Sequence, residues 1–444
     1  MASSPASRQE RLDNLPVTRK HLRLLGASGI GWALDAMDVG LIAFVMAALT
    51  AHWQLAAWQI SLLGAIGFAG MALGAVLGGH LADRFGRRQV FAATLVLYGL
   101  ATGASALAPT FALLVALRFI VGVGLGAELP VASTLISEFA PRRVRGSMVV
   151  LLEAFWAVGW IAAALVGRYV VSASPAGWRW AFALGCVPAV YALVVRFGMP
   201  ESVRYLEMRG RHPEAEQIVR SFEASAGRQP GPAAAATPPR AEQKPATQGQ
   251  PRSIWSRPLA GRTAALWTIW FMMNFAYYGA FIWIPSLLFA SGYPLAKSFS
   301  FTLVMTLAQL PGYAVAAVLI ERWGRRRTLT LFLAGSALAA IGFGLASTSW
   351  QIIAAGCLLS FFNLGAWGAL YAIGPELYPT GLRGTGTGAA AGFGRIASII
   401  APLSVPLLVQ WGGVLLLFGL FAVAFGTACG ATLALPEQRN QELR

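Results

Sequence analysis

Acidic side chains are scarce. The chain of 444 residues carries 18 Asp and Glu, and charged residues of both signs make up only 12% of it. A soluble protein needs roughly twice that fraction to cover its surface, so a water-exposed globular fold is excluded. Cysteine is scarcer still: Cys186, Cys357 and Cys429 form an odd set without CxxC spacing. That excludes a disulfide framework or a cysteine metal site and leaves them as small packing residues. There is no metal cluster, no nucleotide-binding loop and no nucleophile–base arrangement, so neither an enzyme nor an ATP-driven pump is expected, and no cofactor or metal. The polar segment before the first apolar run has no small-residue cleavage site, so that run is expected to be retained.

What the chain does have is apolar length. Hydrophobic residues make up 57% of it, and they fall in runs of about 20, the length a helix needs to cross a bilayer. The runs predict twelve spans: span 1 at 24–49, 2 at 58–80, 3 at 89–107, 4 at 111–137, 5 at 147–171 and 6 at 179–198. Span 7 follows at 263–290, 8 at 299–320, 9 at 328–346, 10 at 350–375, 11 at 385–409 and 12 at 412–435. The fold class expected is an all-α membrane protein of two pseudo-symmetric six-helix bundles. Its lipid partner is the bilayer.

The formal charge of +16 does not call for nucleic acid. With these spans, Arg84, Arg87, Arg88, Arg142, Arg143, Arg145, Arg322, Arg325, Arg326, Arg327 and Arg383 all fall on one side, while the opposite loops hold only Arg168, Arg179 and Lys297. That asymmetry predicts an inner-membrane protein with both termini and the central loop in the cytoplasm.

The chain also repeats itself. Asp83-Arg84-Phe85-Gly86-Arg87-Arg88 recurs as Glu321-Arg322-Trp323-Gly324-Arg325-Arg326, and Glu138, Pro141, Arg145 and Gly146 recur as Glu376, Pro379, Arg383 and Gly384, both at an offset of 238 residues. Pro200-Glu201 recurs as Pro436-Glu437 at 236. Shared motifs in one order at nearly one offset mark a duplicated six-helix unit. The expected organisation is a cytoplasmic segment 1–23, a first bundle 24–198, a connection 199–262, a second bundle 263–435 and a tail 436–444. Within the connection, residues up to about Phe222 have helical spacing among charges and predict short amphipathic helices. Residues 225–252, rich in Pro, Ala, Gly and Gln, predict a disordered linker.

Gly78-Gly79-His80-Leu81-Ala82-Asp83-Arg84-Phe85-Gly86-Arg87-Arg88 resembles the loop signature of the major facilitator superfamily. Glu138 and Arg145, spaced E-x6-R, and Pro200-Glu201-Ser202 resemble its sugar-porter and organic-ion branch. The longer strings Gly31 to Gly40 and Leu151 to Trp160 are similar to the bacterial niacin transporters, metabolite–proton symporters related to the synaptic vesicle glycoproteins. The resemblance implies a secondary transporter working by alternating access, as a monomer, with nicotinate and protons as its small-molecule partners. It also implies a gating role for Asp83, Arg87, Glu138, Arg145, Glu321, Arg325, Glu376 and Arg383, which in the family brace the halves when the cytoplasmic side is closed. Each exposed pair is weak, so only the network can bias the equilibrium.

A charge inside a span is a functional candidate by default, and six qualify: Asp35, Asp38, Arg118, Glu128, Glu153 and Arg395. At about 1.5 Å per residue, Asp38 lies roughly 21 Å up span 1 and Arg118 roughly 10 Å down span 4, which makes them level across a core of about 30 Å. Asp35, at i,i+3, shares the face of Asp38. The family resemblance implies that Asp38 and Arg118 couple protons; a fixed ion pair that only orients two helices is the alternative. Glu128 is a second proton-site candidate, and Gly122 and Gly126 are read as a close helix contact.

Arg395 sits near mid-membrane, and its counterpart by the repeat is one turn from Glu153. Its fork of donors suits a carboxylate, supplied either by a substrate anion or by Glu153. Trp156, Asn274, Tyr277, Tyr278, Gln309, Asn363, Trp367 and Tyr371 complete a pocket suited to a small planar ligand. The expectation is proton-coupled uptake of an aromatic carboxylate. The alternatives are proton-antiport efflux of organic cations or drugs, using Asp35, Glu128 and Glu153, and symport of another aromatic acid or a sugar-like metabolite.

Overall fold

The computed structural model describes residues 7–227, 253–379 and 382–437, and within these it is helical, with no strand. Most of the predicted linker, from residue 228, lies outside the described residues, as do residues 1–6 and 438–444. Ten stretches are long and apolar enough to cross a membrane. The 19-residue helix Arg87–Ser105, long enough though less apolar, takes the place of span 3, and Thr385–Ala434, 50 residues long, bends at Gly412 and Gly413 and holds two spans. The total is twelve.

Spans 1 to 5 are the helices Arg19–Trp53, Ala57–Phe85, Arg87–Ser105, Phe111–Phe139 and Arg145–Tyr169. Spans 7, 9 and 10 are Arg257–Ala290, Arg325–Leu345 and Ser349–Ile373, and spans 11 and 12 share Arg383–Ala431. Two spans are broken where an unbroken helix was expected. Span 6 divides into Gly177–Leu184 and Val187–Gly198, and span 8 into Leu295–Leu307 and Gln309–Trp323. Each break lies just ahead of a proline. Pro188 and Pro311 have no N–H to offer Leu184 and Leu307, and their rings crowd those carbonyls.

Small residues set the tightest contacts. A Cβ on Gly122 would strike the backbone of Gly67, and one on Gly126 the backbone of Met71. Spans 2 and 4 therefore touch backbone to backbone, as the glycine pattern predicts. Span 5 packs on span 1 and span 7 on span 11. The two sets of six spans meet through Trp156 Nε1 donating to Tyr277 Oη at 3.2 Å, Arg168 Nε donating to Ser300 Oγ at 2.7 Å, and the rings of Phe44 and Phe299 at 5.1 Å.

On the arginine-rich side, the repeat is visible in the contacts, one residue out of step between the two halves. Glu201 accepts from the backbone N–H of Arg88 at 3.1 Å, and Glu437 from that of Arg327 at 3.3 Å. The carboxylates cap the starts of spans 3 and 9. Each packs against the left-handed glycine before it, Gly86 (φ +98°) or Gly324 (φ +96°), where a side chain would collide with the glutamate.

The connection forms the short helices Val203–Met208 and His212–Ser225. Part of segment 1–23 is also ordered, as a short helix, Arg8–Asp13. Arg8 pairs with Glu207 at 2.9 Å and Glu216 at 3.0 Å; Arg11 pairs with Glu216 at 2.9 Å and Glu223 at 2.7 Å. The Glu223 bond, then Glu216, holds the Arg11 guanidinium more firmly protonated than usual. His21 completes the joint, its Nε2 3.1 Å from the Phe139 carbonyl and its ring edge-on to Phe222 at 4.9 Å.

Candidate functional site

Two charged sites lie in the membrane core. In the first, Arg118 Nη1 meets Asp38 Oδ2 at 3.1 Å, and both residues are 3% exposed. Thr102 of span 3 locks the pair: its hydroxyl donates to Asp38 Oδ1 at 2.6 Å and accepts from Arg118 Nη2 at 2.8 Å. The guanidinium also lies over the Phe182 ring, 4.6 Å from its centroid. The pair borders a largely apolar cavity of about 340 Å³ between spans 1, 2 and 4. Asp35 faces elsewhere, toward Tyr98 and Glu128.

The second site is a cavity of about 310 Å³ between the two sets of spans. Glu153 and Arg395 both line it and act on one another electrostatically, without closing to an ion pair among the described contacts. Arg395 lies beside Tyr278, and its Nη1, though buried, has no hydrogen-bond partner. The walls are aromatic: Trp156, Tyr277, Tyr278, Trp367 and Tyr371 line it as expected, joined by Trp32 and Tyr313. Trp32 stacks at a tilt on Trp156 at 5.0 Å, and Tyr277 stands edge-on to Trp367 at 5.9 Å. The two cavities adjoin where Phe68, a wall of the first, meets Tyr278 at 4.5 Å.

Three expected pocket residues do not line this cavity. Asn274 is turned toward span 11: its amide donates to the Trp270 carbonyl at 2.7 Å, its oxygen accepts from Ser398 at 2.9 Å, and it packs where Gly394 lacks a side chain. It braces the segment that carries Arg395. Gln309 and Asn363 are fully buried and make no side-chain hydrogen bonds among the described residues. Gln309 falls at the break in span 8, which helical periodicity cannot anticipate.

The expected partners within the arginine-rich motifs are also redistributed. Arg145 does not pair with Glu138; it reaches Asp13 at 2.5 Å, on the N-terminal helix. Glu138 instead takes Arg87 at 3.1 Å and the Ser202 hydroxyl. The repeat equivalent of the first of these contacts, Arg325 with Glu376 at 2.9 Å, is present. Burial raises Glu376 above the usual carboxylate range, opposed by Arg325. Glu321 is exposed and makes no ion pair among the described residues. The side chains of Asp83 and Arg383 lie outside the described part.

Thr102, Ser105 and Tyr98 give no charge signal in the sequence, because span 3 carries no Asp, Glu, Lys or Arg away from its ends. Another signal is there: polar side chains at 98, 102 and 105 recur at i, i+4 and i+7, one face of a helix.

Comparison with known proteins places these features in a family. The family model described as Sugar (and other) transporter matches residues 34–443. The chain is 46% identical over 432 residues to the niacin transporter NiaP of Acinetobacter baylyi, covering 96% of each. It is 28% identical over 411 residues to the synaptic vesicle 2-related protein of Bos taurus, covering 86% of this chain and 72% of that one. The xylose transporter XylE from E. coli, solved in a partially occluded inward open conformation, matches with a TM-score of 0.77 at 19% identity, covering 96% of this chain and all of that one. The likeness to that structure establishes the fold.

Proposed function

The chain belongs to the sugar (and other) transporter family of the major facilitator superfamily, a family of transporters rather than enzymes, and from that premise we propose that it takes up a small aromatic carboxylate, nicotinate, together with protons. Alternating access carries the substrate, and the chain acts as a monomer in the inner membrane with both termini in the cytoplasm. The observation that carries the reading is Arg395, part-buried on the wall of an aromatic cavity, with its buried Nη1 free of partners. A carboxylate offers that fork a charge-assisted bond, and the rings offer its planar body stacking surfaces. The relative named a niacin transporter supports the choice among aromatic acids. Asp38, paired with Arg118, is the proton carrier. Separating the pair changes the proton affinity of the carboxylate, and an apolar setting strengthens that dependence.

The test is uptake of labelled nicotinate into proteoliposomes with and without an inward proton gradient. Accumulation above the outside concentration is expected only with the gradient. Failure to transport nicotinate, with gradient-driven export of an organic cation, would favour the alternative reading, for which Glu153 on the same wall is the supporting feature.

The motif pairs Arg87–Glu138 and Arg325–Glu376 each stay within one half, an arrangement suited to a conformation open toward the arginine-rich side. Together with Asp83, Glu321, Arg383 and the Arg145–Asp13 contact they act as the gate. Glu376→Gln and Arg145→Ala should slow turnover several-fold and change the accessibility of cysteines introduced on the two sides, with little change in nicotinate affinity. Unchanged accessibility and unchanged transport together would remove the gating role.

A further inference from the structure

One turn from the Asp38–Arg118 pair lies a second buried acidic site of different chemistry. Asp35 is 1% exposed and Glu128 is fully buried. The two carboxylates interact with one another and with the Tyr98 hydroxyl. Glu128 reaches across from span 4 to span 1: a Cβ on Gly31, one turn before Asp35, would lie 3.0 Å from its Oε1. None of the four carboxylate oxygens, nor the Tyr98 oxygen, completes a hydrogen bond.

Among the described residues the surroundings offer no positive charge. Span 1 adds Asp38, span 3 adds Tyr98, and span 6 adds Tyr191, whose hydroxyl donates to the Ala27 carbonyl at 2.8 Å. Span 5 presents Phe155 to Gly29 and Gly159 to Ala33 and Ala36, all apolar. Arg118 is engaged with Asp38, Thr102 and Ser105.

The Tyr98 hydroxyl beside them can donate to one carboxylate at a time, so two acceptors without a cation cannot both stay ionised in a low-dielectric interior. A single proton between them cancels one charge and supplies a donor between the two carboxylates, giving a charge-assisted O–H···O⁻ bond. We propose that Asp35 and Glu128 bind one proton between them, a protonation site separate from Asp38 and about 4.5 Å nearer the arginine-rich side along span 1. It deepens the proton coupling proposed above, yet it does not depend on which substrate is carried. Its test uses no substrate, so its failure leaves the nicotinate reading untouched, and the reverse holds.

The full-length protein, purified in detergent at neutral pH, should display a protonated-carboxyl stretch in its infrared spectrum that shifts in D₂O. The double variant Asp35→Asn/Glu128→Gln should lose the intensity of one carboxyl, whereas Asp38→Asn should keep it. If the double variant does not fold, each single variant is measured instead, and the band must shift in at least one because its hydrogen-bond partner has become an amide. Intensity retained in the double variant, or a band unshifted in both singles, overturns the proposal. So does a band abolished when sodium chloride replaces choline chloride, which would make the five oxygens a sodium site.

Discussion

Asp38→Asn should abolish accumulation driven by a proton gradient while leaving substrate exchange across equal pH within a few-fold of wild type. Asparagine has nearly the shape of aspartate and can still accept from the Thr102 hydroxyl, which donates to Asp38 Oδ1 at 2.6 Å. It cannot change charge as Arg118 approaches and withdraws. Wild type coupled to one proton should concentrate substrate about tenfold per unit of pH difference, since a factor of ten corresponds to about 1.4 kcal/mol. The variant should stop at equal concentrations. Retained exchange matters, because removing one member of a buried pair leaves the other uncompensated and typically costs about 3–5 kcal/mol of stability. Exchange demonstrates a folded carrier, so the lost accumulation can be assigned to coupling. A variant that still concentrates substrate in response to the gradient would return the pair to a purely structural role.

The other large effect concerns charge recognition. If Arg395 holds the substrate carboxylate, nicotinate should bind far more tightly than nicotinamide, its uncharged amide. A charge-assisted contact of this kind is worth about 1.5–3 kcal/mol, or roughly one to two decades in affinity. Arg395→Ala should erase the difference between acid and amide rather than weaken both alike. Arg395→Lys should restore only part of it, because an ammonium lacks the planar fork. The variants are suited to this comparison because the neighbouring support is independent: Asn274 holds span 11 through Ser398 and the Gly394 gap, not through the guanidinium. Calorimetric titration of both ligands on each protein measures the outcome. Equal affinities for acid and amide in wild type would sink the anion reading and promote organic-cation efflux.

The sequence carried the fold in its apolar lengths and in the offset of 238 residues. Arg87–Glu138 and Arg325–Glu376 are repeat equivalents, and the structure pairs them alike. The level of Asp38 with Arg118 was likewise available from counting residues down two helices, and the two are in contact. Orientation about the helix axis was harder. Polar groups near mid-membrane suggest a pocket, yet Asn274 turns to span 11, Gln309 lies at the break in span 8, and Asn363 is buried away from the cavity. Trp32 and Tyr313, which do line the cavity, have no local signature distinguishing them from packing aromatics. The partner of Arg145 was hidden for another reason: Asp13 lies 132 residues away, on a helix too short and polar to register beside the apolar runs.

That short helix has a consequence for the making of the protein. Arg8 and Arg11 bind acidic residues 199 to 212 positions further along the chain. At about 5–20 residues per second, Arg8 and Arg11 are made roughly 10–40 seconds before their partners. During that interval the first six spans enter the bilayer with both arginines unneutralised by those glutamates, and each unpaired cation resists being carried across with the first span. This helix can meet Arg145 and the Glu138 carbonyl early, but it completes its docking only after these glutamates are made. Its closure over Glu207, Glu216 and Glu223 marks the moment at which the first half of the molecule is topologically complete.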